Sequence, residues 1–409
     1  MRIAVIGSGI SGLSAAYYLS KKYYVDLFEA EDNFGGHSYT FNINHHNKTI
    51  PVDLGFIVFN KLTYPNLINF LKELNVPFEK SNMSFSVSIR DSNIEYGGSS
   101  LKTLFANKFN ILNFKFIKMI KEIISFYNYA PSLLKTDLEG ETLGNYLNRE
   151  KFSKYFIEYH IIPMVAAIWS MPFKKAKDMP LSLFLNFFKN HGLFKIKNRP
   201  QWYTITNRSR TYVNKVIKKI SGEVFRNYKV SSIDRNDENV KIKIGNEHLD
   251  YDQVILASHA DESLRIIKNP SKDEKRILGK FNYVSNSAIL HSDDKIMPKR
   301  KIAWSSWNST SKVDKTCITY WLNKLQNLST NKNYFLTLNP IYEIENKYVI
   351  KKLNFTHPYF NLETLRAQKE LHSLQGTNRT WYCGSYFGYG FHEDGINSSL
   401  NLIKNFKIK

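Results

Sequence analysis

The sequence predicts an α/β fold in which a domain built on a parallel sheet is interleaved with a second, α+β domain. Three observations lead to this prediction. The chain opens with a strand, a glycine-rich turn, a helix and a second strand; helical patterns fill its middle; and short strands return after residue 210. Because no repeat or low-complexity linker separates these regions, we expect the chain to pass back and forth between the two domains.

Three short segments predict the opening unit. Residues 2–7 (RIAVIG) form an apolar strand, residues 10–21 have helical spacing with small residues on one side, and residues 24–29 (YVDLFE) form a second strand. Since the crossover between such strands is right-handed, the two strands should be parallel neighbours in one sheet.

The middle of the chain is predicted to be helical and most of the remainder to be extended. Apolar spacing predicts helices over 61–75, 101–130, 152–170, 181–190 and 211–221. Alternating patterns predict strands over 224–230, 239–244, 248–257, 283–291, 302–307, 316–322, 334–338 and 380–385. The strands between 283 and 338 should form an antiparallel sheet, and a last helix is expected near 395–406.

Composition excludes several classes of protein. The chain has 409 residues, of which 43% are hydrophobic and 23% charged, so it can build a large core and is not globally disordered. Its two cysteines, Cys317 and Cys383, cannot form a disulfide framework or a cysteine zinc site. We find no signal-peptide pattern and no run of about 18 apolar residues that would span a membrane. A cytoplasmic location in a reducing compartment is therefore expected.

The charge is strongly basic, with 57 Lys and Arg against 36 Asp and Glu and a net charge of +21. Such a surface favours anionic partners, either nucleic acid or an acidic bilayer. The chain is also rich in Lys, Asn, Ile, Tyr and Phe, as an AT-rich coding sequence would produce. That composition would give the same charge without a functional reason. Because the basic residues are dispersed and no recognition motif is found, we expect no nucleic-acid partner.

A glycine motif between the first strand and first helix carries the clearest chemical signal. In Gly7-Ser8-Gly9-Ile10-Ser11-Gly12, the first glycine permits a tight turn, the second lets the backbone approach a pyrophosphate, and the third lets helix and strand pack closely. The helix N-terminus offers free N–H groups to the phosphates. Glu29, at the end of the second strand, can accept hydrogen bonds from a ribose. These residues predict a dinucleotide site.

A second glycine pair extends the site. Gly35-Gly36-His37 follows Glu29 and gives a second close backbone approach, which suits a longer dinucleotide. Further glycine-containing segments are Val52–Phe56, Cys383–Ser385 and His392–Gly395.

Together, these segments resemble the flavin-dependent amine oxidase and phytoene desaturase superfamily. The resemblance implies a Rossmann-like FAD-binding domain of the glutathione-reductase type, made of residues 1–60, 205–265 and 375–409. It implies a substrate domain with a helical cap, 61–204, and a mixed or antiparallel sheet, 266–374. It also implies that FAD is contacted by Gly7, Ser8, Gly9, Ser11, Gly12, Glu29, Ala30, Gly35, Gly36, His37, Gly55, Phe56, Ile57, Val230, Gly384, Ser385, Asp394, Gly395 and Ile396.

The chain departs from this family at three places. His37 stands where many amine oxidases have Arg, and the segment 207–210 (NRSR) replaces a Gly-Gly pair. Covalent members attach flavin through a Cys before the final strand, but the corresponding region, ending KKLNFTHPYF, has none. FAD is therefore expected to be bound non-covalently.

Several strings resemble one bacterial branch of the superfamily, often found beside cyclopropane-fatty-acid-synthase-like methyltransferases. They include PVDLGFIVFN, PMVAAIWS, FFKNHGLF, AWSSWN and GFHEDG. Some members of that branch are implicated in desaturating methylated fatty acyl chains on the way to furan fatty acids.

Two residues align with the family positions nearest the flavin. His392 and Glu393 either orient the substrate or exchange a proton during oxidation, or they hold the flavin and its loop by hydrogen bonds. The last helix, expected to begin near Gly395, would place positive potential beside the flavin, with Asp394 as a helix cap or a catalytic group.

The composition of the predicted cap indicates which class of substrate the protein could bind. Residues 101–130 carry five lysines among Leu, Phe and Ile, and residues 184–199 are likewise aromatic and basic. Such helices can lie on a bilayer and admit a lipid tail, although a core helix with a solvated lysine edge looks the same. Small Ala166 and Ala167 leave room for an apolar ligand or permit close helix packing. We expect peripheral association with the inner face of the cell membrane.

These observations lead to one main hypothesis and three alternatives. In the main hypothesis, FAD takes a hydride at N5 from an allylic carbon of a methylated, unsaturated fatty acyl chain, on a membrane phospholipid, to give a conjugated diene. Oxygen or a quinone then accepts the electrons. The alternatives are a fatty-acid double-bond isomerase, an oxidase of small amines and a non-catalytic flavoprotein.

Overall fold

The computed structural model describes residues 1–45, 48–312 and 315–406. In these ranges the strands, in chain order, are β1 (Arg2–Ile6), β2 (Tyr24–Glu29), β3 (Thr40–His45), β4 (Lys48–Asp53), β5 (Phe59–Asn60), β6 (Phe78–Ser81), β7 (Phe85–Ile89), β8 (Ile94–Gly97), β9 (Trp202–Ile205), β10 (Val224–Arg226), β11 (Val230–Arg235), β12 (Val240–Ile244), β13 (Glu247–Tyr251), β14 (Gln253–Leu256), β15 (Asn282–His291), β16 (Trp307–Lys312), β17 (Lys315–Trp321), β18 (Phe335–Leu338), β19 (Val349–Tyr359) and β20 (Thr380–Tyr382).

The helices of the same ranges are α1 (Ile10–Leu19), α2 (Pro65–Glu73), α3 (Leu101–Leu104), α4 (Phe114–Leu133), α5 (Leu143–Arg149), α6 (Lys154–Phe156), α7 (Ile162–Trp169), α8 (Leu181–Asn190), α9 (Arg210–Ile217), α10 (Ala260–Ile266), α11 (Lys272–Leu278), α12 (Leu322–Leu325), α13 (Leu362–Glu370) and α14 (His392–Asn405). Within the described residues, no helix combines the length and hydropathy needed to cross a bilayer.

A five-stranded parallel sheet holds the two ends of the chain and a central segment together. Its strand order is β10-β2-β1-β14-β20, and every neighbouring pair is parallel. The central strand β1 is apolar, with Ile3, Ala4 and Val5 fully buried, as expected where both faces of a parallel sheet are covered. One face packs with α1 and α14, and the other packs with residues of β11 and β12. This arrangement confirms the prediction of an α/β fold with a Rossmann-like domain.

The second large sheet has seven strands in the order β19-β15-β18-β17-β16-β7-β8. All its pairs are antiparallel except β7 with β16, which confirms the predicted mixed sheet. Smaller sheets are formed by β11-β12-β13, β3-β4 and β5-β9-β6.

Helices α4 to α8 form the cap, which packs around interlocked aromatic rings. Phe126 lies at the centre, with ring centroids 5.4 Å from Phe156, 6.3 Å from Phe184 and 6.0 Å from Phe194. A π-helical turn, Ile157–Ile161, joins α6 to α7 and places His160 between the hydroxyls of Tyr96 and Tyr127. The predicted helices over 152–170 and 181–190 are therefore found, the first with this interruption.

Four predicted elements differ in detail. Residues 224–230 are not one strand: β10 ends at Arg226 and pairs with β2, whereas β11 begins at Val230 and pairs with β12. Residues 302–307 are not a strand: a 3₁₀ turn, Lys301–Ala303, precedes β16, and Trp304 donates its indole N–H to the Pro298 carbonyl. Residues 248–257 form two strands in different sheets. The helical region 101–130 is interrupted at Asn113, whose side chain caps α4 because Asn favours helix starts over helix interiors.

Candidate functional site

The first glycine loop has the backbone geometry that its sequence requires. Gly7 has φ +100° and donates its N–H to the Phe28 carbonyl at 2.9 Å. A Cβ on Gly12 would lie 1.9 Å from the Gly7 oxygen, so no other residue fits there. A Cβ on Gly9, in contrast, would point into open space with no described atom within 4 Å. Gly9 thus leaves room for a ligand at the start of α1.

The start of α1 is suited to an anion. Gly9 is the N-cap residue, no side chain among the described residues caps the helix, and its first turn contains no acidic residue. Its first N–H groups and the positive end of its dipole are therefore available to phosphate oxygens.

Glu29 lies at the end of β2, where the motif requires an acid. Its Oε2 accepts hydrogen bonds from the backbone N–H of Ser8, at 3.0 Å, and from the Ser8 hydroxyl, while Oε1 accepts from the Glu31 N–H at 2.9 Å. Only 9% of Glu29 is exposed. The carboxylate thus fixes the glycine loop, and Ala30 beside it is exposed at the strand end.

The second glycine pair lies directly on the first loop. Gly35 donates its N–H to the carbonyl and to the hydroxyl of Ser8, at 3.1 and 3.0 Å. A Cβ on Gly36 would lie 3.1 Å from the Gly9 Cα. Gly35 and Gly36 have φ values of +110° and +55°, which side chains disfavour. The structure therefore brings the two predicted glycine segments into one cradle.

His37 closes one side of this cradle. Its ring lies 5.2 Å from Phe355 and 5.1 Å from His357, and its Nε2 is buried without a hydrogen-bond partner among the described residues. Burial, followed by the nearby His259, lowers the pKa of His37 to about 4. A buried ring nitrogen without a partner is costly, and an acceptor or donor on a bound ligand would satisfy it.

The N-terminus of the last helix packs against that of the first. A Cβ on Gly395 would lie 2.7 Å from Ile10 Cγ2 and from Ser11 Oγ, so glycine allows the close approach. One turn further along each helix, the hydroxyls of Ser14 and Ser399 are 2.6 Å apart. Two helix N-termini thus converge on the same edge of the parallel sheet.

The remaining predicted cofactor residues make close backbone contacts or lie in hydrophobic cores. Gly55 allows the chain to pass His37, because a Cβ there would lie 2.1 Å from the His37 oxygen. Gly384 donates its N–H to Ser398 Oγ at 2.9 Å, and Ser385 begins a 3₁₀ turn. Ile57, Val230 and Ile396 are buried core residues.

The last helix begins at His392, three residues earlier than expected. Asp394 is not the residue before the helix but lies in its first turn, where Oδ2 accepts the Phe391 N–H at 2.9 Å. The sequence signal for this start was the acidic residue three positions after Phe391, which is the usual spacing for this bond. Burial raises the pKa of Asp394 to about 7.

His392 is enclosed by three side chains that the sequence analysis did not combine. Its ring stacks on Phe56 with centroids 3.6 Å apart and planes 13° apart. Its Nε2 lies 2.9 Å from the Ser38 hydroxyl and 3.4 Å from that of Tyr212. Burial, and then His37, lowers the pKa of His392 well below its usual range, so the ring is neutral at physiological pH.

Glu393 has the contacts of a helix cap. Its carboxylate accepts the backbone N–H groups of Asn66 and Leu67, both at 2.9 Å, and the Asn66 side-chain amide at 3.0 Å. These N–H groups belong to the first turn of α2. Burial raises the pKa of Glu393, against the effect of these bonds. The carboxylate ties α2 to α14, and its predicted catalytic role stays a prediction.

A cavity of about 430 Å³ lies between α2, the end of α8 and the start of α14. Its lining is largely aromatic or polar and consists of Leu62, Thr63, Tyr64, Pro65, Asn66, Asn190, His191, Tyr389, Phe391, Glu393, Asp394 and Asn397. The first glycine loop does not line it. The cavity is therefore a candidate substrate site rather than the dinucleotide cradle.

Aromatic residues of the cap form the wall behind this cavity. Phe187 stacks on His191 at 3.8 Å and on Phe391 at 5.0 Å, and Trp169 donates its indole N–H to the Tyr389 carbonyl at 3.1 Å. These contacts join the cap to the start of α14. The alanines of α7 do not line the cavity: Ala166 and Ala167 are 4% and 1% exposed, which fits close helix packing.

The residues present fit a bound dinucleotide. The open space at Gly9, the uncapped N-terminus of α1 and the contact of Gly36 with Gly9 leave room for a pyrophosphate at one place. The buried Nε2 of His37, next in sequence to Gly36, lacks a partner among the described residues. No cluster of metal-ligating side chains occurs in the ranges that the structure describes.

Comparisons with known proteins agree with this fold. A family of NAD(P)-binding Rossmann-like domains matches residues 5–74. A fatty acid isomerase from P. acnes that produces CLA has a similar structure, with a TM-score of 0.71 and 15% identity, covering 100% of this chain and 99% of that chain. Cyclohexylamine oxidase from Brevibacterium oxydans IH-35A has a TM-score of 0.72 and 12% identity, with 99% of each chain covered.

Putrescine oxidase bound to putrescine is likewise similar, with a TM-score of 0.72 and 14% identity, and 99% of each chain is covered. No curated protein matches by sequence. The likeness extends over essentially the whole chain in each case, including the cap and the seven-stranded sheet. The chain therefore has the fold of these amine oxidases and of the fatty acid isomerase, with a Rossmann-like region at residues 5–74, which agrees with the fold that the resemblance implied.

Proposed function

We propose that the protein is an oxidoreductase that binds FAD non-covalently and oxidises a fatty acyl chain, with a membrane phospholipid as the source of that chain. The observation that carries the proposal is the convergence of α1 and α14. Gly9 leaves room for a pyrophosphate at the start of α1, and Gly395 lets the start of α14 lie against it. FAD has phosphates for the first helix and a ring system whose reduced form the second helix dipole would stabilise.

The chain's own residues would hold such a cofactor from several sides. The glycine cradle and Ser8 lie at the pyrophosphate, Glu29 at the ribose, and the start of α14 at the ring system. When bound, FAD supplies a two-electron acceptor at N5. Non-covalent binding is proposed because the segment before the final strand, where covalent members of the family that the chain resembles carry a Cys, has none. Cys317 and Cys383 are both buried, in β17 and directly after β20.

His392 would act as a neutral, oriented group. Stacking on Phe56 fixes its ring, and the Ser38 and Tyr212 hydroxyls hold its Nε2. A neutral imidazole can donate or accept one proton at that nitrogen without the cost of burying a charge. The aromatic wall of Phe187, Trp169 and Phe391 would keep water out of the site.

Two further observations support an acyl substrate. One of the solved structures with the same fold is a fatty acid isomerase, and the cap carries exposed apolar and basic residues that suit a lipid surface, argued in the next subsection. A methylated, unsaturated chain has an allylic C–H bond, from which loss of a hydride and a neighbouring proton gives a conjugated diene. Oxygen or a quinone would then take up the two electrons.

Oxidation of small amines is a second candidate, favoured by the carboxylates at the cavity. Glu393 and Asp394 line it together with Tyr64, Tyr389 and Phe391, and acidic and aromatic side chains both attract a cation. Two of the similar structures are amine oxidases.

One anaerobic experiment separates these functions. The purified yellow protein is mixed with bacterial phospholipids or with small amines, the flavin absorbance is followed, and the lipids are analysed by mass spectrometry. Bleaching with acyl products lighter by two hydrogens supports the proposal. Unchanged mass with a shifted double bond and no net bleaching indicates an isomerase, and bleaching by amines alone indicates an amine oxidase. A colourless protein that FAD cannot reconstitute contradicts the proposal.

A further inference from the structure

The most exposed apolar side chains of the described residues lie together in the chain. Leu101, Phe109, Leu112 and Phe114 are 74, 80, 75 and 90% exposed, and Ile111 between them is 59% exposed. All five fall within fourteen residues, from α3 to the start of α4. We call residues 101–121 the basic apolar surface. Scattered exposed apolar residues are normal, but a concentrated set of this size marks an interaction site.

The exposure is imposed by the fold rather than by loose packing. On α4, Phe116 and Met119 are fully buried in the core of the cap, which forces Phe114 outward. Before the helix, the buried side chain of Asn107 donates to the Asn93 carbonyl at 3.0 Å, and Asn113 caps α4 by accepting the N–H groups of Lys115 and Phe116. The protruding side chains are thus presented on a fixed backbone.

The charge around these side chains has one sign. Residues 101–121 contain five lysines, Lys102, Lys108, Lys115, Lys118 and Lys121, and no Asp or Glu. All five are exposed. The first acidic residue after them, Glu122, lies 3.9 Å from Lys118. Apolar side chains surrounded by cations are complementary to the boundary between anionic headgroups and acyl chains.

The second aromatic and basic stretch behaves differently. Phe184, Phe187, Phe188 and Phe194 are buried in the cap, so residues 184–194 present no comparable apolar surface. They connect α4 to the candidate site instead. Phe126 on α4 contacts Phe184 on α8, and Phe187, also on α8, stacks on Phe391 beside the cavity. One helical cap therefore bears the basic apolar surface and the wall of the cavity.

We propose that the basic apolar surface docks the protein onto an anionic phospholipid bilayer. Phe109, Leu112 and Phe114 enter the headgroup region, and the lysines contact lipid phosphates. Leucine and isoleucine cannot stack on bases, which favours a bilayer over single-stranded nucleic acid. Docking itself rests on this surface alone; its use, to bring the cavity to acyl chains in the membrane, rests on the proposed function.

The test is binding of the flavin-loaded protein to vesicles. We expect it to co-sediment with vesicles of phosphatidylglycerol and phosphatidylcholine, to bind phosphatidylcholine vesicles weakly, and to be released by salt. The double variant Phe109→Ser/Phe114→Ser should lower the partition coefficient by about tenfold or more, because two large apolar side chains no longer insert. Lys108→Gln/Lys115→Gln should weaken binding at low salt only.

The matched control is Tyr228→Ser/Ile302→Ser. These two side chains are 40 and 51% exposed to solvent, and neither belongs to the basic apolar surface. It should bind vesicles like the unaltered protein. Equal binding by Phe109→Ser/Phe114→Ser overturns the proposal, as does binding to a single-stranded oligonucleotide without binding to vesicles. Melting temperature and flavin content confirm that each variant is folded.

The same variants separate this proposal from the proposed function. Oxidation of a detergent-dispersed acyl chain should be unchanged in Phe109→Ser/Phe114→Ser. If no acyl chain is oxidised but vesicle binding is lost in the variant, docking stands and the proposed function fails. If acyl chains are oxidised and vesicle binding is unaffected by the substitutions, the function stands and docking through this surface fails.

Discussion

In the dinucleotide cradle, backbone atoms approach so closely that Gly12 leaves no room for a Cβ and Gly36 lies against Gly9. In the cap, close packing is reached by side chains instead, with Phe126 surrounded by rings such as Phe156 and Phe184. A backbone contact can be made by only one residue type, whereas an aromatic core can be rebuilt with other large apolar residues. The cradle is therefore readable in the sequence, and the cap is free to differ between proteins with different substrates.

The largest effect should come from the glycine loop. Gly12→Val places a side chain on the Gly7 oxygen and should prevent stable folding, whereas Gly9→Val meets no described atom and should fold but lose FAD. Bound flavin is measured by absorbance and the fold by the melting temperature of the apoprotein.

A matched control is Gly98→Val, because a Cβ at that exposed glycine meets only the Phe85 oxygen, at 4.0 Å. It should retain both colour and stability. Full flavin occupancy in Gly9→Val would contradict the assignment of the pyrophosphate site.

A smaller effect is expected where the two regions are joined, at Glu393. Glu393→Ala leaves the buried Leu67 N–H and the half-buried Asn66 N–H at the start of α2 without this acceptor. The free energy of unfolding should therefore fall by about 1–3 kcal/mol. Chemical denaturation measures the change. Glu363→Ala is the control, since that carboxylate is 63% exposed and lies 3.5 Å from Lys280 in an ion pair of little value.

The two roles of Glu393 give different kinetics. A helix cap predicts that Glu393→Gln keeps most of kcat at a temperature where it is folded, because an amide oxygen still accepts one of the bonds. A fall in kcat of several orders of magnitude in this folded variant would instead support proton exchange by the carboxylate.

Asp394 should make stability depend on pH. Its pKa rises to about 7 in the folded protein and is about 3.9 in an unfolded chain. Between these values the folded state binds more protons, so the contribution of this group to stability falls as pH increases from about 4 to 7. Melting temperatures across that range should show a smaller decline in Asp394→Asn than in the unaltered protein. An identical decline in both would place the ionisation elsewhere.

Structural features that depend on a single residue type, such as the glycine turns, could be predicted from the sequence. Contacts between residues far apart in the chain could not. Gly7, Gly12 and Glu29 lie where the motif placed them. The start of α14 was predicted three residues late, because Gly395 resembled the start of a helix, whereas it is needed for contact with α1. The enclosure of His392 by Ser38, Phe56 and Tyr212 joins segments up to 354 residues apart, which no local pattern reveals.

Among the strands of the parallel sheet, β1 and β14 are short, mainly apolar runs, RIAVI and QVIL, which the local sequence reveals. β3 to β9 and β19 were not predicted. β3, β4 and β19 are largely half-exposed or exposed, but β7 and β8 are buried. The common reason is that their pairing depends on neighbours elsewhere in the chain, as for β7 with β16 and β19 with β15. The exposed side chains of 101–121 were also beyond local periodicity. Phe114 and Phe116 are equally apolar, and only the packing of α4 separates the exposed ring from the buried one.

The chain's return from the cap to the cradle shows how a conformation can persist without glycine. Asn207 and Arg208 occupy the place of the expected Gly-Gly pair, and both have positive φ values, +61° and +77°. Arg208 is held by hydrogen bonds from its guanidinium to the Pro51 and Gln326 carbonyls, each at 2.8 Å. Two consecutive residues thus hold a positive φ here without glycine, and hydrogen bonds of the Arg208 side chain fix the second of them.

The smallest expected effect is at Asn207, which is exposed. Asn tolerates the left-handed region better than Ala, so Asn207→Ala should destabilise the protein by roughly 1 kcal/mol, and Asn207→Gly should change stability by less than about 0.5 kcal/mol. Chemical denaturation compares the pair. Because Asn207 carries no cofactor contact, flavin content should stay unchanged in both. Equal stability of the two variants would mean that the left-handed turn is not required, and that the cradle tolerates a different backbone path where the cap ends.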